Sequence, residues 1–351
     1  MSMIMVTLAL LSAPFAQAAA AAQAPVTAPF EIAARAPRTD GRASAPRAPV
    51  TAPSEIAARA PEAAWRAIPA DDLAILDLAP DSRGHPRRVF IQLLPAPFAQ
   101  GWIDNIRRLA RAHWWDGTSI NRVQDNYVAQ WGDASGKKPL PPGMKPIPQS
   151  AYVTDLGRTY IDGAVVRQAG SRAFVGLVAG NGRDAYAPLT FTWRGWPIAS
   201  ARQGADAAPS ETMAWPVHCY GMVGVGRDMP PDTGNGAELY AVIGHAPRHL
   251  DRNIALVGRV IEGIEHLSAL PRGTEALGMY ATAAERVPIV STRIASDLPA
   301  SEQPRFEYLA TDSTSFARYA DARDNRRDAF FIQPAGGADI CNVPTPIRRV
   351  K

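Results

Sequence analysis

Cysteine is scarce in this chain, with two residues among 351. So few cysteines exclude a fold held mainly by disulfides and a zinc site built from four cysteines. An excess of charge of one sign is also lacking, because 37 Lys and Arg residues against 33 Asp and Glu leave a net charge of +4. Proteins dedicated to nucleic acid usually carry a concentrated basic face, so we expect no nucleic-acid partner.

Long apolar runs are missing as well. The run at residues 3–11, MIMVTLALL, is too short to cross a bilayer, so no stable membrane span is expected. Proline, in contrast, is abundant: its 32 residues are nearly twice the usual share of about 5%. That abundance excludes a helical bundle or a coiled coil over most of the chain. The length and the 46% of hydrophobic residues predict about two domains, or one large all-β domain with extensions.

The first sixty residues lack the pattern of a folded domain. The short apolar run and the A-x-A cleavage pattern Ala16-Gln17-Ala18 predict a signal peptide over residues 1–18, and hence a periplasmic or secreted protein. No basic residue precedes the run, so the alternative is a disordered tail or a mis-assigned start. Residues 19–64 predict an extended Ala/Pro-rich linker, in which the segment 24–37 recurs at 48–61 with one change.

Residues 65–298 have the pattern of a mainly β domain. Alternating apolar residues between Gly/Pro-rich turns predict strands at 72–78, 89–94, 119–130, 174–177, 221–225, 239–243, 254–260 and 287–294. Apolar residues spaced by three and four predict one helix at 97–112. The segments 134–152 and 199–216 are predicted loops within an insertion at about 134–216. We therefore expect a closed antiparallel β-barrel capped by helices, followed by a C-terminal extension over 299–351 with a helix at 313–327.

Familiar catalytic signatures are absent, since the chain has neither a G-x-S-x-G elbow nor a Walker A loop. His245 and His249 are four residues apart, but Pro247 between them keeps them off one helix face. Neither a metal nor a cofactor is therefore expected. His218 precedes Cys219, which could activate the thiol, but we favour a buried or disulfide-bonded cysteine.

One segment carries a specific pattern. Residues 120–133 read INRVQDNYVAQWGD, in which an Arg is followed five residues later by an aromatic residue, three further on by Gln, and then by Gly-Asp. This pattern resembles the signature F-H-R-[IV]-x-x-x-F-[MV]-x-Q-x-G-D of the cyclophilin family of peptidyl-prolyl cis-trans isomerases. The residues in register are Arg122, Tyr127, Val128, Gln130, Gly132 and Asp133.

Three later segments extend the resemblance over about residues 72–294. Residues 221–226, GMVGVG, are similar to the family's strand before its active-site loop. Residues 235–240, NGAELY, are similar to its N-G-S-Q-F-F segment, and residues 250–263 to its L-D-G-x-x-x-x-F-G-x-V-x-x-G segment.

The resemblance implies a cyclophilin-like barrel and isomerase activity on proline-containing polypeptides. Arg122 and Gln130 would be the catalytic pair, in which the guanidinium stabilises the twisted X-Pro amide and the glutamine steadies the guanidinium. The implied substrate-binding residues are Tyr127, Val128, Gly226, Arg227, Glu238, Leu239, Tyr240, His249, Leu250 and Ile254.

The chain departs from the family pattern at several of these positions. Tyr127 and Tyr240 replace phenylalanines, which adds two hydroxyls that need partners if they are buried. Glu238 stands where Gln is expected, His249 where Trp is expected, and Ile254 where the pocket histidine is expected.

Two functional hypotheses therefore remain open. The first is an isomerase that assists the folding of exported proteins. The second is a catalytically weak cyclophilin-like module that binds proline-containing segments as a chaperone or assembly factor. For Arg122 taken alone, the alternative is a surface ion pair with Asp125 or Asp133. In an oxidising compartment, Cys219 and Cys341 could form a disulfide that ties the C-terminal extension to the barrel. The sequence does not predict an oligomeric state.

Overall fold

The computed structural model describes residues 52–155, 184–202, 212–328 and 330–350. The predicted signal peptide, most of the predicted linker and the predicted strand at 174–177 lie outside these residues. The helices are α1 (Pro53–Ala58), α2 (Gln100–Arg111), α3 (Glu265–Ser268) and α4 (Thr314–Asp324). The strands are β1 (Trp65–Ala67), β2 (Leu73–Leu78), β3 (Arg87–Leu93), β4 (Ser119–Val123), β5 (Val128–Gly132), β6 (Thr154–Asp155), β7 (Leu189–Trp193), β8 (Trp196–Arg202), β9 (Thr212–Pro216), β10 (Met222–Val225), β11 (Leu239–Val242), β12 (Leu256–Glu262), β13 (Val287–Ile294), β14 (Phe306–Leu309) and β15 (Ile347–Arg349).

Eight of these strands form a closed barrel in the order β10-β11-β5-β4-β13-β2-β3-β12, with β12 pairing back onto β10. Every neighbouring pair is antiparallel. The predicted closed antiparallel β-barrel is thus confirmed. Closure leaves no barrel strand with an unpaired edge, which is one way that all-β proteins avoid edge-to-edge aggregation.

Helix α2 contributes one apolar face to the core. Its side chains Trp102, Ile103, Ile106 and Leu109 recur at the predicted spacing and are at most 2% exposed. The Trp102 indole donates to the carbonyls of Thr233 and Gly234 at 3.1 and 3.0 Å. The helix therefore connects the core to the loop that precedes β11.

The segment predicted as one strand over 119–130 is two strands, β4 and β5, joined by a tight turn. Asn126 has a φ of 50° at this turn, a left-handed conformation that Asn adopts more readily than most residues. The sequence pattern did not reveal the turn, because apolar residues occur on both sides of it, with Val123 at the end of β4 and Val128 at the start of β5.

The predicted insertion contains a four-stranded sheet of order β6-β9-β8-β7. The ends of the predicted loop at 199–216 are strand residues of β8 and β9, and residues 203–211 between them lie outside the described part. Trp196 and Trp215 are buried at 1% and 2% exposure. Such large apolar side chains explain why these segments pair rather than remain in solvent.

The predicted linker does not extend to residue 64. Residues 53–58 form α1, which packs against α4, and its Ile56 is buried in the same apolar cluster as Phe316 and Tyr319. Glu55 and the two alanines of the EIAA sequence at 55–58 favour a helix. Ile56 is its one branched apolar residue, and it packs in the apolar cluster that includes α4.

The C-terminal extension returns to the start of the described chain. Strand β14 pairs with β1, so that Trp65 lies opposite Leu309, and β15 completes a three-stranded sheet. Helix α4 falls within the predicted range 313–327, and the Ser313 hydroxyl caps it by accepting from the Phe316 amide at 3.1 Å. A disulfide joins Cys219 to Cys341 in this extension. Among the described helices, none is long and apolar enough to cross a membrane.

Candidate functional site

Four neighbouring strands of the barrel bring the central residues of the site into one row. Arg122 on β4 lies opposite Gln130 on β5, which lies opposite Tyr240 on β11, which lies opposite Gly224 on β10. Directly opposed residues in a sheet point to the same face. The antiparallel register thus places Arg122, Gln130 and Tyr240 side by side. We call these three residues the arginine-glutamine row.

The Arg122 guanidinium is held by three neutral acceptors. Its Nε donates to the Leu277 carbonyl at 2.7 Å and one terminal nitrogen donates to Gln130 Oε1 at 3.1 Å. The other terminal nitrogen donates to Gln124 Oε1. A guanidinium has five N–H groups, so two remain without a partner among the described residues.

No described carboxylate neutralises Arg122. Asp125 pairs with Arg272 at 2.9 Å. Asp133 accepts the backbone amides of the Ser135–Lys138 turn at 2.6–3.1 Å. Burial lowers the pKa of Arg122, but an arginine pKa starts far above neutrality, so the group remains charged at neutral pH. The surface ion pair considered from sequence is therefore not formed, and the half-buried charge has no acidic partner among the described residues.

Tyr127 supplies an aromatic surface next to this charge. The Arg122 Cζ lies 5.7 Å from the centre of its half-buried ring. Burial raises the pKa of the Tyr127 phenol, which keeps it neutral at physiological pH. The pair thus presents a cation and a flat apolar face together.

Glu238 lies close to Gln130. The neighbouring side chains of Gln130 and Asn121 favour its charged form, while burial has the larger effect and raises its pKa. A Cβ at Gly132 would lie 2.0 Å from Glu238 Oε1, so a larger residue there would displace the carboxylate. Gln130 Oε1 accepts from Arg122, which leaves the Gln130 amide nitrogen free to donate elsewhere.

Tyr240 is the outer member of a buried polar chain. Its hydroxyl lies 2.9 Å from His218 Nε2, and His218 Nδ1 lies 2.8 Å from Asp251 Oδ1. Since the Asp251 carboxylate can only accept, Nδ1 carries the proton and Nε2 accepts from the tyrosine. Burial lowers the pKa of His218 and raises that of Tyr240 well above 10, so both are neutral. The Tyr240 hydroxyl thus has the partner that its burial requires.

This polar chain continues into the insertion. Asp251 Oδ2 accepts from Arg248 Nε at 2.8 Å, and the terminal nitrogens of Arg248 contact both oxygens of Asp184 at 2.7 and 2.8 Å. A Cβ at Gly224 would lie 2.3 Å from the Tyr240 ring, which explains the glycine in the middle of β10. The hydrogen bond to His218 and the packing against Gly224 therefore fix the position of the Tyr240 ring.

The other predicted substrate-binding residues have diverse positions. Val128 and Leu239 are 2% and 5% exposed, so they support the barrel core and offer a substrate little surface. Gly226 and Arg227 line a cavity of about 370 Å³ together with Gln130 and Glu238.

His249, Leu250 and Ile254 stand apart from this row. His249 is exposed and Leu250 half-buried on the short 3-10 turn Arg248–Leu250. Ile254 lines a small pocket with Trp102 and Tyr152, and the lining includes neither Arg122 nor Gln130. The pocket position of the family's histidine is therefore occupied here by an apolar contact with the insertion.

The sequence did not indicate the residues whose contacts hold Arg122 and Tyr240 in position. Gln124 lies two residues beyond Arg122, a spacing typical of one strand face, and could have been noticed. Leu277 acts through its carbonyl, and His218 and Asp251 come from segments far apart in sequence, so no local pattern indicates them. No described group of three or more His, Cys, Asp or Glu residues could hold a metal ion.

Comparisons with known proteins agree with this geometry. The barrel and the arginine-glutamine row define a cyclophilin-like protein. The family model described as cyclophilin type peptidyl-prolyl cis-trans isomerase/CLD matches residues 102–294. The chain belongs to this family.

One solved structure supports the same fold. The cyclophilin AquaCyp293 from Hirschia baltica matches with a TM-score of 0.60 and 21% identity, over 81% of this chain and 93% of that one. A Cryptosporidium parvum cyclophilin type peptidyl-prolyl cis-trans isomerase, described in the presence of the dipeptide Ala-Pro, has 11% identity and a TM-score of 0.34. That match covers 63% of this chain and 98% of that one. The comparison with curated proteins gave no match.

Proposed function

We propose that this chain isomerises X-Pro bonds in exported polypeptides, with Arg122 as the catalytic residue. One observation carries the proposal. A half-buried guanidinium has two uncommitted N–H groups, has no acidic partner among the described residues, and lies beside the Tyr127 ring. Because the guanidinium is only half-buried, these N–H groups are accessible to the backbone of a bound peptide.

The reaction requires no covalent step. Amide resonance gives the X-Pro bond a rotation barrier of about 18–20 kcal/mol. In the twisted amide this resonance is lost and the proline nitrogen becomes a better acceptor. The free N–H groups of Arg122 donate to that nitrogen or to the neighbouring carbonyl more strongly than in either planar state, which lowers the barrier.

Tyr127, Gln130 and Tyr240 restrict motion at the site. The Tyr127 ring offers the proline ring a flat surface while the preceding residue rotates. Gln130 and the Leu277 carbonyl both accept from Arg122, so that the guanidinium needs little reorganisation during the reaction. Tyr240 is 4% exposed and supports Gln130 from the neighbouring strand, with its hydroxyl held by His218.

Two features support action on exported proteins. The Cys219–Cys341 disulfide suits an oxidising compartment such as the periplasm or the extracellular space. The apolar run and A-x-A pattern at residues 3–18 suit a signal peptide. A fusion of residues 1–51 to a reporter that is active only after export tests this part separately.

The activity is tested by measuring cis-trans exchange of an X-Pro peptide with the full-length chain and its Arg122→Ala variant. We expect the variant to lose at least about 100-fold in kcat/KM, the scale of removing a key transition-state donor. Arg83→Ala is the matched control, because Arg83 is exposed in the turn between β2 and β3. Peptide binding without acceleration by the unmutated chain would overturn catalysis and favour the binding-module hypothesis.

A further inference from the structure

A second cavity, of about 280 Å³, lies between the barrel, the β7–β8 hairpin and the segment before β15. Most of the residues that line it are apolar, and they include Met222 on β10, Val260 on β12, and Val343 and Ile347 at the C-terminal end. Thr192 and Thr345 add hydroxyls. None of the residues that line it belongs to the arginine-glutamine row.

One charged side chain lines this cavity. Arg259 on β12 is 7% exposed and lies over the Trp196 ring, with its Cζ 4.3 Å from the ring centre. Its Nε and one terminal nitrogen donate to Gln92 Oε1 at 2.9 and 2.7 Å, and the other terminal nitrogen donates to the Gly195 carbonyl at 2.6 Å. All of these acceptors are neutral.

The charge of Arg259 is therefore uncompensated. No described Asp or Glu forms an ion pair with it, and two of its five N–H groups have no partner among the described residues. Burial lowers the pKa of Arg259 to about 9, so the guanidinium is still positive at neutral pH. A buried charge without a counter-ion is strongly unfavourable, and a bound anion would relieve that cost.

We propose that this cavity binds a small monocarboxylate with a short apolar tail. A carboxylate presents two oxygens to the two free N–H groups and supplies the single negative charge that Arg259 lacks. The apolar walls fit a hydrocarbon tail, whose burial adds favourable free energy. A phosphate dianion would exceed the available positive charge and leave the apolar walls unused.

The test compares sodium hexanoate with hexanamide, which has a similar shape and no charge, by calorimetric titration of the full-length chain. We expect hexanoate to bind saturably at one site and hexanamide to bind at least about tenfold more weakly, because a charge-assisted pair is lost. Equal affinities of the two compounds, or no saturable hexanoate binding, would overturn the proposal. This comparison requires no variant.

Two variants locate the site. Thr345→Trp places a large side chain at the half-buried edge of the cavity and should abolish hexanoate binding while leaving isomerase activity unchanged. Arg259→Met keeps most of the side-chain bulk but removes the charge. This variant should bind hexanoate and hexanamide with about equal affinity. Undiminished hexanoate binding by the Thr345→Trp variant would show that the carboxylate binds elsewhere and would contradict the proposal.

Discussion

The side chain of Arg122 is fastened to the backbone of Leu277: the guanidinium Nε donates to the Leu277 carbonyl at 2.7 Å, although 155 residues separate them. Leu277 has a φ of 60°, a conformation that is unusual for a residue with a branched side chain. Its side chain is 69% exposed. The turn at Ala276–Gly278 therefore serves the site through its backbone direction rather than through a side chain.

Replacing Leu277 by proline should weaken catalysis. Proline fixes φ near −65°, so the turn must rearrange and the carbonyl moves away from Arg122. Loss of one hydrogen bond to a charged group, worth about 1.5–3 kcal/mol, corresponds to at least about a tenfold drop in kcat/KM. Leu277→Ala keeps the carbonyl and should remain within about twofold. Equal activities of the two variants, with equal melting temperatures, would rule out this role of the backbone.

Glu238→Gln should stabilise the protein at neutral pH. Burial raises the Glu238 pKa above its ordinary value of 4.5. A raised carboxyl pKa contributes stability below pH 4.5, and that contribution is lost as the pH rises through the folded-state pKa. The Gln variant should thus melt at a higher temperature than the unmutated chain at pH 7, with a gap that narrows towards pH 4. Glu302→Gln, at an exposed position, is the control and should show no such trend.

Tyr240→Phe restores the family's residue yet should destabilise this chain. The change leaves buried His218 Nε2 without its donor, at a cost of about 1–3 kcal/mol in the free energy of unfolding. Tyr127→Phe removes a hydroxyl from a half-buried ring and should change stability by less than about 0.5 kcal/mol. Urea denaturation measures both. A smaller effect at Tyr240 than at Tyr127 would show that the His218 contact contributes nothing.

Removing the disulfide should weaken the attachment of the C-terminal extension. Cys219 and Cys341 close a loop with a sequence separation of 122. In the chain-entropy account, such a link contributes about 4–5 kcal/mol to stability. The double variant Cys219→Ser/Cys341→Ser should lose a large part of this, as measured by denaturation under oxidising conditions. A reductant should destabilise the unmutated chain and leave the double variant unchanged; equal stability of the two proteins before reduction would refute the expectation.

Much of the barrel could be predicted from the sequence because its strands are short and their turns contain Gly, Pro or Asp. Strand β13 has the predicted bounds Val287–Ile294, and β2 differs by one residue. The β4–β5 turn was missed because apolar residues continue on both sides of Asn126. Helix α1 was missed because its repeat resembles a linker until Ile56 meets a partner that lies more than 250 residues away in sequence.

In the candidate site, too, some residues could be predicted from the sequence and others could not. Arg122, Tyr127 and Gln130 share one hairpin, so their spacing is visible in the sequence. The contacts that orient them come from Leu277, Glu238 and, for Tyr240, His218 and Asp251. These partners meet only through barrel closure, which a linear pattern does not encode.

Barrel closure also determines which piece of this chain can stand alone. The family match begins at residue 102, after β2 and β3. Those two strands join β13 to β12 in the ring. A fragment cut at the limits of sequence similarity would expose two unpaired strands and a split core, so it should aggregate rather than fold. For this chain, the closed ring of paired strands is a better guide to a fragment that folds on its own than the segment that matches the family model.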